Sequence, residues 1–343
     1  MANQVGKHYK IEEKPGKLEK AFSRQEESCS FRTSIGGQAL MEGILMRGPK
    51  KQAIVCRTQD GLVEKTEDLK LLKDKYPVFG LPLIRGCVIF IDSLVKGMKA
   101  LTYSADLLPE DQQGEPDKLD QWIEAHFSEE KAQKLIIITA VVLGVILSVG
   151  LFVFLPTLLV RLINWKQSFS LPVINLLEGV LRVIILLVYM YLVSKVKDIK
   201  RVFSYHGAEH KTIFCYEHGN PLTVENVRRE SRFHPRCGTS FLLVVVLVSI
   251  LVNLLFNVIF PITNVFARIG CHILLIPIVV GISYEINRWC GAHDNALSAA
   301  LSAPGKWLQH ITTNEPDDEM IECAIRAMEL VIPEEKGSDA WGS

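Results

Sequence analysis

The sequence predicts an α-helical polytopic membrane protein with four transmembrane helices and a small β-containing (α+β) unit in the cytosol. Two observations lead to this fold class. The chain has 343 residues, 48% of them hydrophobic, and its apolar residues concentrate in four long runs between residues 135 and 287. Between residues 34 and 67, short apolar segments alternate with glycines and turn residues, which is typical of strands.

Composition excludes several classes of protein. The formal net charge is zero, whereas nucleic-acid-binding proteins usually carry a basic excess, so no specific nucleic-acid partner is predicted. Residues 1–30 are polar and charged, without the apolar core of a cleavable signal peptide. The eight cysteines have no framework spacing, which predicts reduced thiols in or facing the cytoplasm.

The sequence is predicted to be organised in eight segments, which differ in hydropathy and charge. In chain order they are a disordered arm (1–33), a β-rich cytosolic unit (34–77), an amphipathic interfacial helix (78–104), an acidic linker with a short helix near 120–127 (105–134), the first two spans (135–160 and 171–193), a cytoplasmic connection (194–239), the last two spans (240–260 and 269–286, within 240–287) and a cytosolic C-terminal segment (288–343).

The β-rich unit shows a hairpin signal, because two apolar segments flank the turn residues Gln59, Asp60 and Gly61. Its one acid in apolar surroundings, Glu42, is interpreted as a distant ligand or an ion-pair partner. In the C-terminal segment, 304–316 is predicted to be an ordered connection. Residues 317–331 are predicted to form an amphipathic helix that docks on the β-rich unit.

Loop charges predict the orientation in the membrane. The connection 194–239 holds nine Lys and Arg residues, while 161–170 holds two and 261–268 holds one. Because cytoplasmic loops are enriched in Lys and Arg, both termini and 194–239 are placed in the cytoplasm of a multi-pass protein in the cell (plasma) membrane. The basic residues Arg228, Arg229, Arg232 and Arg236 are interpreted as retaining this loop there, with binding of lipid phosphate or of a nucleic-acid backbone as the alternative.

Polar side chains inside the spans are unusual enough to be noted. Glu178 and Arg182 lie four apart on the second span and can pair there, as a functional site or as an interfacial structural pair. Asn253 and Asn257, one turn apart on the third span, are predicted to make interhelical hydrogen bonds.

The 194–239 connection contains an H-x-x-E-H pattern formed by His206, Glu209 and His210. If the stretch is helical, the two imidazoles project from one face, where they can bind one divalent metal ion, with zinc expected. The Glu209 carboxylate would then lie beside the ion as a catalytic base that orients or deprotonates a bound water.

A catalytic zinc site needs a third protein ligand, and His234, Cys237 and Glu285 are the candidates because all lie at the predicted cytoplasmic membrane surface. A competing pattern is Cys215-x-x-His218 with His234-x-x-Cys237, which resembles a structural zinc clip that would close the loop without chemistry.

Four blocks together resemble the YqhQ-type family of bacterial membrane proteins. They are 36–43 with 46–47, 205–211, 234–241, and 307–309 with 312–313 and 315–316. The likeness covers nearly all of residues 34–332. That family is commonly labelled as predicted metal-dependent enzymes of unassigned function, so the resemblance implies a membrane architecture and the position of a site more than a reaction. Cys215 and His218 lie outside these blocks.

The leading functional hypothesis is water-activated hydrolysis of a peptide or lipid-linked substrate at a metal site. The alternative is a non-enzymatic scaffold or assembly factor in the lipid bilayer that binds other membrane proteins, a translocon or the ribosome. A weaker third hypothesis is a transporter that uses Glu178, Arg182 and Asn253.

Overall fold

The computed structural model of the chain describes residues 31–69, 76–109, 118–127, 129–165, 169–262, 264–293, 295–335 and 337–341. Most of the predicted disordered arm therefore lies outside the described residues, as does 110–117 of the predicted acidic linker.

A four-stranded antiparallel sheet forms the β-containing unit. Its strands are β1 (Gly36–Leu40), β2 (Gly43–Arg47), β3 (Lys51–Thr58) and β4 (Gly61–Asp68), hydrogen-bonded in that order. The β3–β4 turn pairs Thr58 with Gly61, where the sequence predicts the hairpin. Gly61 has a φ of 122°, which side chains other than hydrogen disfavour.

The described helices pack around this sheet and continue into an apolar bundle. They are α1 (Ile84–Asp106), α2 (Lys118–His126), α3 (Glu129–Val149), α4 (Leu155–Asn164), α5 (Leu171–Val193), α6 (Lys197–Glu217), α7 (Val224–Arg229), α8 (Gly238–Ile259), α9 (Val265–Leu274), α10 (Ile276–Ala292), α11 (Ala296–Thr312) and α12 (Asp318–Glu329).

Both faces of the sheet are covered, because alternate residues of each strand point to opposite sides. Ile44 and Met46 of β2 pack with α6 and α12 on one face. Leu45 of the same strand and Ile54 of β3 pack with Ala100 of α1 on the other face. The amphipathic helix α12 buries Met320, Ile321, Cys323, Ala324, Ala327 and Met328, and it packs on β2 and β3 of the sheet as predicted.

Three described helical segments are long and apolar enough to cross a membrane, namely Leu135–Asn164, Leu171–Val193 and Gly238–Ile259. A bent pair, Phe266–Leu274 and Ile276–Ala292, adds a fourth if it counts as one span. α8 packs against α5, α10 and α11 at the centre of this bundle. Three or four helices that could span a membrane beside a small antiparallel sheet confirm the predicted fold class in outline, although four spans were predicted.

The first span differs from its prediction at one end. It continues to Asn164 rather than 160, because Pro156 does not end the helix. Instead a π-helical turn, Gly150–Phe154, precedes α4, and Pro156 lies in the first turn of α4. Pro156 lacks the N–H that an α-helix would bond to the Phe152 carbonyl oxygen, and this oxygen accepts from the Arg182 Nε at 3.2 Å.

The bent pair at the predicted fourth span makes an angle of 42° between α9 and α10. The break is at Leu275, with Pro277 in the first turn of α10. Gly281 lies inside α10. A Cβ at Gly281 would come within 2.8 Å of the Leu83 carbonyl oxygen, so this glycine permits close contact with the start of α1.

The predicted connection at 304–316 is wrong in its first part, which is helical. Residues through Thr312 belong to α11, and Pro304 lies inside that helix. A capping box between Asn295 and Ser298 starts α11. A Cβ at Gly305 would lie 2.4 Å from the Ser240 Cβ. The turn of α11 that contains Pro304 and Gly305 therefore packs closely against α8.

Candidate metal centre

The H-x-x-E-H pattern lies on α6, which is polar in sequence yet buried along most of its second half. Polar groups so buried each need a partner. The Lys211 ammonium, for example, donates to the Arg228 and Glu230 carbonyl oxygens at 3.1 and 2.8 Å and pairs with Glu315 at 2.9 Å. Several other segments of the chain therefore bind α6, and these contacts fix the side chains that α6 carries.

His206 and His210 are one turn apart on α6, with ring centroids separated by 4.3 Å. The Nδ1 atom of His206 lies 2.9 Å from the Thr312 carbonyl oxygen, and that of His210 lies 2.5 Å from the Arg232 carbonyl oxygen. A carbonyl oxygen only accepts, so both Nδ1 atoms carry the proton. When its Nε2 is deprotonated, as metal binding requires, each ring presents the Nε2 lone pair, which is the usual arrangement of metal-binding histidines.

Cys237 reaches the same point from another element. It is the N-cap of α8, where its Sγ accepts from the Thr239 N–H at 3.3 Å. The Sγ also lies 3.1 Å from Nε2 of His206. The ligand atoms of His206, His210 and Cys237 all lie within 4.8 Å of one another, and all three residues are buried. Within the described ranges, this is the one group of three or more His, Cys, Asp or Glu side chains with that geometry.

Glu209 lies beside this group and is 5% exposed. Its Oε1 accepts from the Gly37 N–H of β1 at 3.0 Å. Among the described residues, neither its Oε2 nor the His210 Nε2 has a hydrogen-bond partner. A buried unpaired polar atom costs about 1–3 kcal/mol. Two such atoms close to the histidines and the thiol mark a point where a bound cation and its water would satisfy them.

The electrostatics of the group favour a deprotonated thiol. Burial lowers the pKa of His206, but the neighbouring Cys237 more than offsets it and raises the pKa to about 9. Burial raises the pKa of Cys237, but the adjacent His206 and His210 outweigh it and hold the pKa well below its usual range. The thiolate is the form of cysteine that binds metals. Burial also raises the pKa of Glu209 above its usual value, although both histidines oppose that effect.

A cavity of about 510 Å³ opens onto the group. The β1 strand and the preceding Ser34 and Ile35 form one wall, and the motif residues of α6 form another. Trp341 forms part of a third wall, where its ring lies 5.6 Å from the Arg236 guanidinium. The candidate centre is therefore accessible to a small molecule or a chain segment.

Of the three predicted third ligands, the structure brings only Cys237 into the group. The His234 Nε2 lies 3.5 Å from the Glu217 carboxylate, and its ring centroid is 5.6 Å from that of His210. Glu285 forms an ion pair with Arg85 of α1 instead. Both residues therefore support neighbouring structure.

The competing zinc clip does not form. The Cys215 Sγ faces the Asn220 and Pro221 carbonyl oxygens, while His218 pairs with Glu230 at 2.9 Å. These two side chains therefore point into their own turn and not toward Cys237. The pair Cys215 and His218 and the pair His234 and Cys237 have the same spacing in sequence, but the structure does not bring them to one site.

The predicted polar candidates elsewhere form ion pairs. Glu42 pairs with Arg201 and accepts from the Tyr205 hydroxyl at 3.2 Å, which makes it a structural partner of α6. Glu178 lies 3.7 Å from Arg182, as predicted, but lies closer to Arg268, at 3.0 Å.

The basic residues of the loop have protein partners: Arg228 pairs with Asp318, Arg229 with Glu225, Arg232 with Glu315 and Arg236 with Glu217. Retention of the loop in the cytoplasm by these residues stays a prediction.

The prediction of interhelical hydrogen bonds from Asn253 and Asn257 was wrong. The Asn253 and Asn257 amides donate within α8, to the carbonyl oxygens one turn earlier. Helix geometry supplies these acceptors locally, so no second helix is needed.

Several supporting groups carry no sequence signal. The Thr312 and Arg232 carbonyl oxygens fix the histidine rings, and any residue type supplies such a group. The Gln309 side-chain amide makes two hydrogen bonds with the backbone of His234. Its oxygen accepts from the His234 N–H at 2.8 Å, and its nitrogen donates to the His234 carbonyl oxygen at 2.7 Å. Gln309 is completely buried, but sequence alone does not place it beside the loop.

Comparisons with known proteins agree with the resemblance. A family model described as "Protein of unknown function (DUF1385)" matches residues 81–334. The chain is 35% identical over 307 residues to the "Uncharacterized protein YqhQ" of Bacillus subtilis (strain 168), covering 87% of this chain and 92% of that protein. No solved structure shows a significant match. The helix with the H-x-x-E-H pattern and Cys237 lie inside the matched region, and the chain belongs to the DUF1385 family of proteins of unknown function.

Proposed function

We propose that the protein is a membrane-bound, metal-dependent hydrolase. In this proposal His206, His210 and Cys237 hold a divalent ion, and Glu209 acts on the attacking water. The observation behind it is the convergence of two Nε2 atoms and one Sγ within 4.8 Å beside a buried carboxylate oxygen that lacks a partner. Three protein ligands leave a fourth position open, which is the arrangement of catalytic zinc sites.

Zinc suits this donor set best. Two imidazoles and a thiolate are softer ligands than the carboxylates and carbonyls that magnesium and calcium prefer. The carbonyl oxygens of Thr312 and Arg232 orient the rings, as outer-shell partners do in known metal sites. When bound, zinc would lower the pKa of a water and polarise a substrate carbonyl.

Glu209 is suited to be the general base. The hydrogen bond from the Gly37 N–H fixes one carboxylate oxygen and leaves the other free to accept a proton. Its raised pKa brings the carboxylate closer to neutral pH, where a base exchanges protons most efficiently. The burial that raises this pKa also removes competing bulk water from the site.

A peptide is the substrate class that the cavity favours. β1 is an edge strand, and its residues line the cavity together with the motif. The Gly37 N–H points away from β2 toward Glu209, so by the alternation of antiparallel pairing the Ala39 N–H also points away from β2. Such an edge can add an extended peptide as a further strand. A lipid-linked substrate is the alternative, since Cys237 directly precedes a membrane-spanning helix.

Metal analysis of the purified full-length protein tests the proposal. Wild type is compared with the His206→Ala plus His210→Ala variant by inductively coupled plasma mass spectrometry. A matched control replaces two exposed histidines, His293 and His310. We expect about one zinc per chain in wild type and in the control, and almost none in the site variant. Equal and negligible zinc in all three proteins would refute the metal site.

Hydrolysis needs a second measurement, with a fluorescence-quenched peptide library in detergent micelles. Glu209→Gln keeps the shape and the hydrogen bond from Gly37 but removes the base. We expect this variant to retain zinc and to lose cleavage by at least about a hundredfold. Retained zinc without cleavage by wild type would favour a structural metal.

The non-enzymatic scaffold is a second candidate function, and one feature favours it. α1 packs on α10 and the sheet, but leaves Ile89, Ile91 and Leu94 exposed at 43, 60 and 52%. An uncovered apolar face of this kind fits lipid or another membrane protein. Crosslinking from position 91 in native membranes distinguishes the two, since a stoichiometric protein partner in zinc-free preparations would support a scaffold.

A further inference from the structure

A second buried polar cluster shares no residue with the candidate metal centre. It is formed by α5, α9 and the first span. The Arg268 Nη2 donates to Asn175 at 2.7 Å and to Glu178 at 3.0 Å. Arg182 lies 3.7 Å from the same carboxylate. All of these side chains are buried among helices of span length, where charged groups are costly and are retained mainly for function.

The cluster carries an excess positive charge. The Arg182 Nη2 lies 3.0 Å from Nδ1 of His272, and because a guanidinium only donates, that Nδ1 carries a lone pair. The imidazole is therefore neutral. Two guanidinium groups then face the single carboxylate of Glu178 in a buried environment, which leaves one positive charge without a counter-charge among the described residues of the cluster.

The backbone of the first span takes part in the cluster. The Arg182 Nε donates to the Phe152 carbonyl oxygen at 3.2 Å, and Phe152 lies in the π-helical turn Gly150–Phe154. A π-turn shifts the hydrogen-bond ladder, so a carbonyl can accept from a side chain, and such turns are frequent at functional sites. This bond secures Arg182, while Arg268 remains only partly satisfied.

A cavity of about 310 Å³ adjoins Arg268. Arg268 is 7% exposed, and its Nε has no hydrogen-bond partner among the described residues. Arg161 also lines the cavity from the exposed side, and Val160, Leu171 and Ile174 supply an apolar wall. A free guanidinium N–H, an excess positive charge and a partly apolar wall therefore meet in one space.

We propose that this cavity is a binding site for a phosphate-class anion, with Arg268 as its principal ligand and Arg161 at its mouth. The planar guanidinium edge matches a phosphate group, which can accept several charge-assisted hydrogen bonds at once. The phosphate group belongs to a phospholipid headgroup or to a soluble phosphate. The apolar wall suits the first source, and the buried charge excess suits both.

Two substitutions at one ion pair have opposite expected effects on this site. Arg268→Gln removes the ligand and is expected to weaken phosphate binding at least about tenfold. Glu178→Gln removes the competing carboxylate, leaves both arginines, and is expected to strengthen binding about tenfold. If the ion pair had a purely structural role, both variants would be destabilised alike and neither would respond to phosphate.

The measurement is the thermal stability of the full-length protein in nanodiscs of phosphatidylcholine, as inorganic phosphate replaces chloride at constant ionic strength. A second arm adds phosphatidylglycerol and identifies retained lipid by native mass spectrometry. Stabilisation by inorganic phosphate identifies a soluble ligand, and retained phosphatidylglycerol identifies a headgroup. The proposal is overturned if wild type and Glu178→Gln respond to neither, or if Arg268→Gln responds as wild type does. Should Arg268→Gln fail to fold, the comparison of Glu178→Gln with wild type still decides the question.

Discussion

The Nε2 atom of His206 lies 3.1 Å from the Sγ of Cys237, although the two residues are 31 positions apart in the chain. One belongs to the middle of α6 and the other caps α8. Their contact joins the sheet-bearing part of the molecule to the apolar bundle. This short distance favours Cys237 as the third ligand. Glu285, another candidate, is paired with Arg85.

The first prediction concerns the third ligand. Cys237→Ser is expected to lose most bound zinc while it stays folded, because serine is also a good N-cap and the α8 start is preserved. Glu285→Gln is expected to keep its zinc and lose at most about 1 kcal/mol of stability, since its ion pair with Arg85 is partly exposed. Zinc content and melting temperature are measured for both. Loss of zinc from Glu285→Gln alone would reverse the assignment.

The second prediction concerns the contact between β1 and Glu209. A Cβ at Gly37 would lie 2.6 Å from the Leu45 carbonyl oxygen and 3.0 Å from the Glu209 Cδ. Gly37→Ala is therefore expected to destabilise the protein by about 1–3 kcal/mol. At Gly36 the same addition meets nothing within 4 Å, so Gly36→Ala is the control. Thermal melts of the two variants should differ, and equal melting temperatures would contradict the close contact.

The third prediction concerns the support of the His206 ring. A Cβ at Gly207 would come 2.0 Å from the Asn314 carbonyl oxygen and would push that segment, with the neighbouring Thr312, away from α6. Gly207→Ala should therefore cost about 2–3 kcal/mol, although alanine favours helix by about 1 kcal/mol. Zinc affinity should fall at least about tenfold, as for other outer-shell changes.

The control for this change is Gly144→Ala. Gly144 is also inside a helix, and a Cβ there meets nothing within 4 Å. It should keep both stability and zinc affinity. Calorimetric zinc titration of the two alanine variants measures the difference, and a Gly207→Ala protein with wild-type zinc affinity would show that Thr312 does not orient the ring.

The fourth prediction is a pH dependence of stability. Burial lowers the pKa of His234 from 6.5 to about 4, with Arg236 and His210 acting in the same direction and Glu217 opposing. Between these values the unfolded state binds a proton that the folded state does not. Stability is therefore complete above pH 6.5 and falls as pH decreases to about 4, by about 3 kcal/mol.

Thermal melts of zinc-free protein from pH 7.5 to 4 measure this effect. His234→Gln should flatten the dependence by that amount, while replacement of the exposed His293 by Gln should leave it unchanged. If His234→Gln and wild type lose stability in parallel, the buried neutral imidazole is not the cause.

Elements with a strong local signal could be predicted from sequence, and others could not. The second span coincides with α5 at both ends, because a long apolar run bounded by polar residues specifies its own length. α11 was not predicted, and its C-terminal half was assigned to a connection, where Pro304 normally ends a helix. Packing of Gly305 against Ser240 is a tertiary contact that no local pattern contains.

Some residues of the candidate site could likewise be predicted from sequence, and others could not. His206 and His210 follow from helical spacing alone, and Cys237 appeared among three candidates of equal depth. The choice of Cys237 depends on ion pairs that remove the others, such as that of Glu285 with Arg85. Arg268 is separated by 90 residues from Glu178, so only the folded bundle shows that the two lie together.

The position of Cys237 at the start of α8 attaches the candidate site directly to a helix that is long and apolar enough to cross a membrane. α8 has 22 residues and is about 33 Å long, so a tilt of about 5° around its middle moves either end by about 1.4 Å. Spanning helices tilt when the hydrophobic thickness around them changes, and a displacement of about 1 Å can reduce a reaction a hundredfold. Because Cys237 is attached directly to α8, the proposed site would move with any tilt of that helix.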